Sequence, residues 1–429
     1  MRPLLCGAVL AAGLTLSAGA DPTSDARTAI QAFYDAASRG AEHLDLSKAK
    51  ATRRPGYSYT SIAGLRQNET ELTKSEQEQM KKTIKCRCWS KITEFQVEGK
   101  RAYVLVKEHY QGELRRSWVS PGPKNVIVDD TAQDVWMKDS SGWRMASSMN
   151  LDDHVVLDGK KSETHVGYVR VIHENGHPSA METAITRFAS KSGQTVDLVG
   201  VVHVGEASYY RELNKDLATY QAVLYELVAP HSMKGKKRLI PQRNEKADNP
   251  LSEMQLGLTR MLGLEFQLNE VDYSPANFVH ADVSPEELLA SMTRRKESFQ
   301  SMFLSMMRES LKNSSDIDAA EGLRLEMSLT SMLLRGPNKE DQRNLRRVMA
   351  NSFRQIEEMT EGMGGPDGST LITVRNQYAL KVMQRELAAG KRRLAIFYGA
   401  GHMADIEKQL VKRGFRRQRV TFLKAWDLN

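Results

Sequence analysis

Apolar residues recur along the chain with two different periods, and the period changes from one stretch to the next. A polar, helix-favouring segment (72–82) is followed by alternating apolar and polar residues, which predict a meander of antiparallel strands. Within it, "DSSG" (139–142) supplies a hairpin turn. Before that segment, helical spacing predicts an amphipathic opening helix from the residues Ala26, Ala29, Ile30, Phe33, Tyr34 and Ala37.

The polar stretch at residues 151–165 contains a Gly-Lys-Lys turn and is predicted to be a linker. A different pattern follows. Two strand-like segments lead into "VDLVGVVHVGE" (196–206), the near-continuous apolar run that is typical of a buried parallel strand. A helical segment at 207–220 and a second buried strand in "AVLYELVAP" (222–230) complete a βαβ unit.

A large and mostly helical insertion is predicted at about residues 249–364. One of its helices has a clear start, with Ser284 as N-cap, Pro285 at the first helical position and Glu287 placed for a capping box. Its methionines are predicted to fill the core, although a methionine-lined groove for varied apolar ligands is the alternative; they include Met302, Met306 and Met307.

After the insertion the helix–strand–helix–strand pattern returns and runs to the C-terminus. In the last helix, the apolar residues Met403, Ile406 and Leu410 are predicted to form the buried face. The predicted fold is therefore an α+β domain at residues 22–150, with helices on a curved antiparallel sheet. An α/β domain with the helical insertion follows at residues 166–429.

The first 20 residues have one basic residue, an apolar stretch and small residues around Gly19, which is the pattern of a secretory signal. A membrane anchor is the alternative, but the stretch is short for a bilayer span. We expect cleavage after Ala20 and a secreted or periplasmic protein. The remaining cysteines, Cys86 and Cys88, would point to the same side of a strand, which does not favour a disulfide between them.

The 429-residue chain has 40% apolar and 27% charged residues, which is typical of a globular protein with two or three domains. Removal of Arg2 with the signal takes the formal net charge from +8 to +7. This charge favours association with acidic surfaces such as the cell envelope. The basic clusters at 234–238 and 412–419 have no interleaved aromatic residues, so no nucleic-acid partner is expected.

Two buried strands end in the same short pattern, Gly-x-x-His: "GVVH" (200–203) and "GAGH" (399–402). Ligand sites in open α/β sheets gather at the carboxyl ends of strands, so His203 and His402 are predicted to converge. Imidazole is both a common metal ligand and a general base near neutral pH. Each histidine taken alone also fits a helix-cap or packing role, and it is the matched pair that favours a site.

Glu226 lies inside the apolar "VLYELV", where a carboxylate needs a cation, a metal or several donors. Arg375 is the predicted partner, either in the site or as a core ion pair, and the neighbouring Asn376 either contacts substrate or faces solvent. A second tier of candidates comes from the segment 263–282, although a capping or surface role is favoured for the last two. The segment contains Gln267, Asp272, Tyr273, His280 and Asp282.

Taken in order, "GVVH", "YREL…AVLYEL", the "RN" that opens a helix, and "GAGH" followed by "MADIEKQLVKRGF" resemble the TraB/TIKI/GumN family over about residues 166–429. This family belongs to a wider group with erythromycin esterase-like and ChaN-like proteins. For the TIKI branch the resemblance implies metal-dependent proteolysis. A divalent metal would be held by His203, His402 and Glu226, with Glu226 as ligand or general base and Arg375 as charge stabiliser.

Residues 22–150 resemble the nuclear transport factor two-like (SnoaL-like) cone, and the hairpin "DVWMKDSSGWRMASS" is the most familiar part. That cone can hold a catalytic pair, a small molecule or nothing. The residues His109, Asp134 and Trp143 are not separable by sequence from ordinary strand residues, so no site is predicted in this half. The domain is expected to recruit substrate, to form a homodimer or to tether the enzyme.

Two functions are consistent with these patterns. The first is an exported, metal-dependent hydrolase that cleaves an amide (peptide) or ester bond of a peptide or small-molecule substrate. The second is a protein that binds a metal, haem or small ligand in the same cleft without turnover. The ChaN resemblance implies haem binding through His203 or the neighbouring Tyr209 and Tyr210. The pair Glu226 and Arg375 favours hydrolysis, because simple metal capture does not need it.

Overall fold

A computed structural model of the chain describes residues 22–115, 125–228, 259, 261–295, 338–362 and 370–429. The predicted signal peptide and the three methionines of the insertion, Met302, Met306 and Met307, lie outside these residues. The chain divides into two compact units. Unit 1 is Met1–Val166 with His173–Gly176, and unit 2 is Gly167–Ile172 with His177–Asn429.

In its described residues, unit 1 has three helices and a seven-stranded sheet in the order β2-β1-β6-β5-β4-β3, with β7 paired to β6. Neighbouring strands are antiparallel, except that β1 runs parallel to β6. The elements are α1 (Pro22–Glu42), α2 (Ser47–Thr52), β1 (Arg53–Thr60), β2 (Arg66–Asn68), α3 (Glu69–Lys82), β3 (Thr83–Glu98), β4 (Arg101–Leu114), β5 (Asn125–Asp139), β6 (Gly142–Leu157) and β7 (Lys160–His165).

The predicted opening helix is confirmed as α1. Its residues Ile30 and Tyr34 are buried in the core of unit 1 against the sheet, where Trp136 is also buried. The predicted hairpin turn is confirmed as well: β5 ends at Asp139, whose Oδ1 accepts from the backbone N–H of Ser141 at 2.8 Å. Helix on antiparallel sheet is thus the architecture of unit 1.

Residues 151–165, which the sequence predicts to be a linker, instead complete β6 and form β7. The two strands pair as a hairpin from Leu157 opposite Lys160 to Asp152 opposite His165. The Gly-Lys-Lys turn is the tip of this hairpin, where Asp158 and Gly159 both have positive φ. All six residues of β7 are exposed. An exposed edge strand has no apolar face, and its sequence therefore looks like that of a linker.

Cys86 and Cys88 are free thiols on β3 and are both buried. Their sulfur atoms lie 3.9 Å apart on the same side of the strand, as their spacing predicts. The thiol of Cys86 donates to the carbonyl oxygen of Ala41 at 3.1 Å. They are part of the packing between α1 and the sheet.

Unit 2 contains a seven-stranded sheet, a two-stranded sheet formed by β11 and β13, and helices. The elements are β8 (Val169–Glu174), β9 (His177–Ala189), β10 (Thr195–Val201), β11 (Val204–Gly205), α4 (Ala207–Leu217), β12 (Ala222–Tyr225), β13 (Glu265–Phe266), α5 (Gln267–Glu270), β14 (Phe278–His280), α6 (Pro285–Arg295), α7 (Lys339–Gly362), a π-helix (Thr370–Val374), α8 (Arg375–Ala388), β15 (Arg393–Gly399), a 3₁₀ turn (Ala400–His402), α9 (Met403–Lys412) and β16 (Arg416–Asp427).

The large sheet of unit 2 has the order β14-β12-β15-β10-β9-β16, with β8 paired to β9. Its first four strands are parallel, whereas β9 and β16 are antiparallel to their neighbours. The βαβ unit β10–α4–β12 therefore leaves a gap of one strand, and β15 fills it. The burial pattern predicted for α9 is confirmed, since Met403, Ile406 and Leu410 are buried.

The insertion predicted to be mostly helical contains strands as well. β13 pairs with β11, and β14 pairs with β12 at the edge of the large sheet. The apolar Phe278 and Val279 favour this extended edge position. The capping box of α6 is confirmed by reciprocal bonds between Ser284 and Glu287, at 2.8 and 3.2 Å. Among the residues that the structure describes, no helix has the length and apolar character needed to cross a bilayer.

Candidate functional site

The two Gly-x-x-His patterns lie at the ends of neighbouring strands. β10 and β15 run parallel, with Gly200 opposite Tyr398 and Val201 opposite Gly399. Each histidine follows the end of its strand within three residues. Because parallel neighbours end at the same edge of a sheet, His203 and His402 are carried to the same edge.

Glu226 reaches this edge from the other side of β15. It directly follows β12, and its backbone N–H donates to the carbonyl oxygen of Phe397 at 3.1 Å. Its carboxylate Oε2 accepts from the backbone N–H of Gly399 at 2.6 Å. A β-carbon at position 399 would lie 3.3 Å from that Oε2 and 3.7 Å from Nε2 of His203. The glycine is therefore needed for the close approach of backbone, carboxylate and imidazole.

Arg375, the first residue of α8, bridges two carboxylates. It donates from Nη2 to Oε1 of Glu226 at 2.7 Å, and from Nε and Nη2 to Asp282 at 2.9 and 2.5 Å. Arg375 and Asp282 are buried, and the side chain of Glu226 is 14% exposed. A buried carboxylate next to a guanidinium stays ionised.

The electrostatic balance keeps Glu226 anionic. Burial raises its pKa, but His402, Arg375 and His203 outweigh this effect and hold the pKa of Glu226 well below its ordinary value. For Arg375, burial lowers the pKa while Asp282 and Glu226 raise it, and the net pKa is raised. The centre is thus a permanent ion pair, with imidazoles on its remaining side.

Each histidine is held by a side-chain amide. Nδ1 of His203 lies 2.8 Å from Oε1 of Gln267, and Nδ1 of His402 lies 2.7 Å from Oδ1 of Asn376. Asn376 donates from Nδ2 to the carboxylate of Asp405 at 2.8 Å, which fixes its oxygen toward the imidazole. An amide oxygen only accepts, so each imidazole carries its hydrogen on Nδ1.

When the imidazoles are neutral, this arrangement leaves a lone pair on Nε2 of both histidines; when they are protonated, Nε2 carries a hydrogen and the positive charge faces Glu226. Nε2 of His402 lies 3.6 Å from Oε1 of Glu226. Two imidazole lone pairs and a carboxylate at one edge of the sheet form a set of donors suited to a proton or a divalent cation. Among the described residues, however, no three or more His, Cys, Asp or Glu side chains are already spaced to surround a metal ion.

Asn376 and two candidates of the segment 263–282 enter the site. Gln267 and Asn376 hold the histidines, and Asp282 holds Arg375. Asp272 and His280 do not. Asp272 is exposed and accepts from the backbone N–H of Ser274 in a turn, and His280 on β14 donates from Nε2 to the carbonyl oxygen of Leu227 at 2.6 Å.

Tyr209 and Tyr210, the tyrosines of the haem interpretation, are buried in α4. The hydroxyl of Tyr209 lies 2.8 Å from Oγ1 of Thr183, and that of Tyr210 donates to the carbonyl oxygen of Val202 at 2.9 Å. Burial raises the pKa of both phenols. These side chains stabilise the packing of α4 on the sheet and are not available as axial ligands.

In unit 1 the three residues left open by the sequence have separate environments. His109 is paired with Asp129 at 2.6 Å on the outer side of the sheet. Asp134 accepts from the hydroxyl of Tyr34 at 2.5 Å in the buried interior, and Trp143 is part of the core. The structure does not bring these three together.

One residue of the site, Asp405, was missed by sequence reasoning, and another, Tyr273, was noted in its segment but was not ranked as a site residue. Asp405 orients Asn376 from the first turn of α9. Tyr273 accepts from Nε2 of Gln267 at 2.9 Å, and its ring centroid lies 6.4 Å from that of Phe397 on β15. Asp405 stands three residues after the second histidine, a spacing that could have identified it. Tyr273 depends on a loop path that no periodicity predicts.

No protein-family model matches the chain, and no curated protein matches it. Solved structures similar to part of it include a conserved protein from Planctomyces limnophilus, with 14% identity, coverage of 31% of this chain and 97% of the other, and a TM-score of 0.26. A nuclear transport factor 2-like superfamily protein from Salmonella enterica has 17% identity, coverage of 30% and 91%, and a TM-score of 0.26.

A putative dehydratase of the NTF2-like family from Streptomyces avermitilis has 15% identity, coverage of 30% and 96%, and a TM-score of 0.24. Two of these three proteins are described as NTF2-like, which is the family that residues 22–150 resemble. At this level of similarity the neighbours indicate nothing about activity.

Proposed function

We propose that unit 2 is a hydrolase that cleaves an amide or ester bond at the edge of the sheet where His203, Glu226 and His402 meet. The observation that carries this proposal is the carboxylate of Glu226. It is bound by a guanidinium and a backbone N–H, and its Oε1 lies 3.6 Å from Nε2 of His402. A purely structural ion pair would not need two oriented imidazoles at its open side.

The low pKa of Glu226 bears on its role. A general base works best when its pKa is near the operating pH, and a carboxylate held well below its ordinary pKa is a poor proton acceptor. Of the two roles that the family resemblance implies, ligand and general base, we therefore favour the ligand role. Glu226 stabilises positive charge at the edge of the sheet, and Arg375 holds its carboxylate in place.

A divalent metal is part of the proposal because imidazole and carboxylate are suitable ligand types, although the three described side chains are not already spaced to surround an ion. Nε2 of His203, Nε2 of His402 and the Glu226 carboxylate would hold the ion, and each carboxylate oxygen keeps a lone pair after its bond to Arg375 or Gly399. When bound, such an ion polarises a carbonyl group and lowers the pKa of water. The amides of Gln267 and Asn376 orient the two imidazoles, as outer-shell groups do in metal sites.

Nε2 of His203 or of His402 could instead accept a proton. A nitrogen that binds the metal cannot accept a proton at the same time. His203 is the exposed histidine and the one that water can reach most directly, while His402 is buried. Metal analysis of the purified protein, followed by peptide and ester hydrolysis with and without chelator, separates these possibilities. Activity that falls on chelation and returns with added metal supports the ion.

Site variants give the decisive test. We expect His402→Ala and Glu226→Gln to lower hydrolysis by at least about 100-fold, the lower range for a group that acts in the chemical step. The matched control is His154→Ala, which removes a half-exposed imidazole from the outer strands of unit 1. Wild-type activity in His402→Ala, or no hydrolysis by the wild type across a broad peptide and ester panel, would refute the hydrolase. Bound metal without turnover would favour the binding protein.

Export is a separate proposal. We infer it from the apolar stretch and small residues at 1–20, and we expect the mature protein to begin at Asp21. N-terminal sequencing of the protein recovered from the periplasm or the medium tests this. A protein found in the cytoplasm with Met1 retained would contradict it.

A further inference from the structure

Tyr273 lies at the end of a chain of hydrogen bonds that begins at the exposed histidine. Nδ1 of His203 pairs with Oε1 of Gln267, and Nε2 of Gln267 donates to the hydroxyl oxygen of Tyr273 at 2.9 Å. The backbone N–H of Gln267 also donates to the carbonyl oxygen of His203 at 2.8 Å. The histidine and the first turn of α5 are thus fixed to each other at two points.

The direction of this chain determines what the phenol can do. His203 uses the amide oxygen of Gln267, so the amide nitrogen faces Tyr273, and the hydroxyl oxygen accepts. The hydroxyl hydrogen then points away from Gln267. Within the part of the chain that the structure describes, the hydroxyl donates to no other group. The hydroxyl of Tyr273 is therefore available to donate a hydrogen bond to a bound ligand.

The ring of Tyr273 is held over the ends of the two strands that carry the site. Its centroid lies 5.2 Å from that of Tyr225, the residue before Glu226, and 6.4 Å from that of Phe397, two residues before Gly399. Phe278 packs against it at 5.7 Å. Three aromatic contacts and a hydrogen bond to Gln267 leave the ring little freedom to turn.

The phenol stays protonated. Burial raises its pKa, the hydrogen bond from Gln267 lowers it, and the Glu226 carboxylate raises it again, for a net rise above the ordinary value. A neutral, oriented hydroxyl is a hydrogen-bond donor and not a base.

We propose that Tyr273 donates its phenolic hydrogen to the carbonyl oxygen of the bound amide or ester, and that Gln267 and His203 fix the direction of this donation. The inference rests on the proposed hydrolase. As water adds to the carbonyl carbon, its oxygen becomes an oxyanion, and a donor already aimed at that oxygen stabilises the transition state more than the ground state. The proton remains on Tyr273, so no further reactant is needed.

The first test is Tyr273→Phe, which removes the hydroxyl and keeps the ring contacts. We expect kcat to fall by about 100-fold, the effect of losing one oxyanion donor, with little change in KM. The control is Tyr225→Phe, a phenol of the same ring cluster, whose activity should match the wild type. Wild-type kcat in Tyr273→Phe would overturn the proposal.

The second test addresses the direction of the hydrogen. In Gln267→Glu the new carboxylate offers only acceptors, so the phenol turns to donate to it and away from the substrate. We expect kcat to fall about as far as in Tyr273→Phe, and the double variant to be no worse than either one, because both remove the same donation. Additive losses in the double variant would overturn the coupling.

A binding measurement separates this inference from the hydrolase itself. A peptide phosphonate, which presents a tetrahedral anion, should bind the wild type roughly 10- to 100-fold more tightly than Tyr273→Phe, the range for a hydrogen bond to a charged group. If the wild type shows this difference but no hydrolysis, the hydrolase fails and the donor stands. Equal binding, or no binding by either protein, overturns the donor.

Discussion

The turn after β10 and the turn after β15 share the pattern Gly-x-x-His, an amide partner for Nδ1 and a place at one edge of the sheet, yet they differ in every other contact. His203 is exposed, and its partner Gln267 leads on to the phenol of Tyr273. His402 is buried, and its partner Asn376 leads on to the carboxylate of Asp405. The turn with His203 is open to solvent, and the turn with His402 is held by residues of α8 and α9.

The two glycines differ in the same way. A β-carbon at Gly200 would lie 3.3 Å from the carbonyl oxygen of Ala184 and 3.4 Å from the ring of Tyr168, both outside the site. A β-carbon at Gly399 would press on Glu226. Identical motifs therefore have unequal roles, since a motif describes local backbone while function depends on what packs against it.

The largest expected contrast is between His402→Ala and His203→Ala. Both should lower hydrolysis by about 100-fold or more. Only the first should also destabilise the fold, by about 1–3 kcal/mol, because it leaves the buried Asn376 oxygen without its donor. For His203→Ala we expect a smaller change, below about 1 kcal/mol, because His203 is exposed and water can replace its bond to the buried Gln267. Urea unfolding of both variants measures the difference, and equal stability would show that the two turns are equivalent.

Many of the residues in this contrast could be predicted from the sequence, and those that could not be predicted were hidden for physical reasons. His203, Glu226, His402 and Arg375 were identifiable because buried strands reveal themselves as apolar runs and because polar residues at their ends are conspicuous. β7 was not identifiable, because all of its residues are exposed and it lacks an apolar face. A strand that gains its stability from pairing alone has no periodic signature.

Pairs that depend on the path of a loop were equally inaccessible. The pairing of Gln267 with His203 joins residues 64 apart, and that of Arg375 with Asp282 joins residues 93 apart. Asp282 was ranked behind Glu226 as a candidate, yet it makes two bonds to Arg375 where Glu226 makes one. The sequence suggested which residue types belonged to the site, and the tertiary fold determined which of them meet.

The next contrast concerns the amide that anchors His402. Asn376→Leu keeps the approximate volume but removes the acceptor for Nδ1 and the donor to Asp405. We expect hydrolysis to fall by about 10- to 100-fold, the range for an outer-shell partner of a ligand histidine. Gln384→Leu, on the exposed face of the same helix, is the matched control and should leave activity unchanged. An imidazole tautomer measured by ¹⁵N NMR should change in the first variant only.

A smaller effect is expected from the two glycines. Gly399→Ala places a methyl group 3.3 Å from Oε2 of Glu226, so the carboxylate must shift by a few tenths of an ångström. We expect activity to fall by about tenfold, because small displacements at reacting groups are costly. Gly200→Ala should destabilise the fold by about 1–3 kcal/mol through overpacking against β9, with activity per folded molecule retained. Loss of activity in Gly200→Ala, with loss of stability alone in Gly399→Ala, would contradict the roles assigned to the two turns.

The smallest effect is the dependence of stability on pH, and it reports on the carboxylate that the second turn binds. The pKa of Glu226 is depressed in the folded state, so its contribution to stability is fully present above the ordinary glutamate pKa of about 4.3 and is lost as the pH falls through the folded value. Below about pH 4.3 the unfolded chain binds a proton that the folded chain does not. Urea unfolding between pH 7 and pH 3 should therefore show a steeper acid loss in the wild type than in Glu226→Gln. If stability falls with pH equally in both proteins, the carboxylate is not held anionic by Arg375 and the imidazoles. The difference between the turn of His402 and the turn of His203 would then have no electrostatic basis.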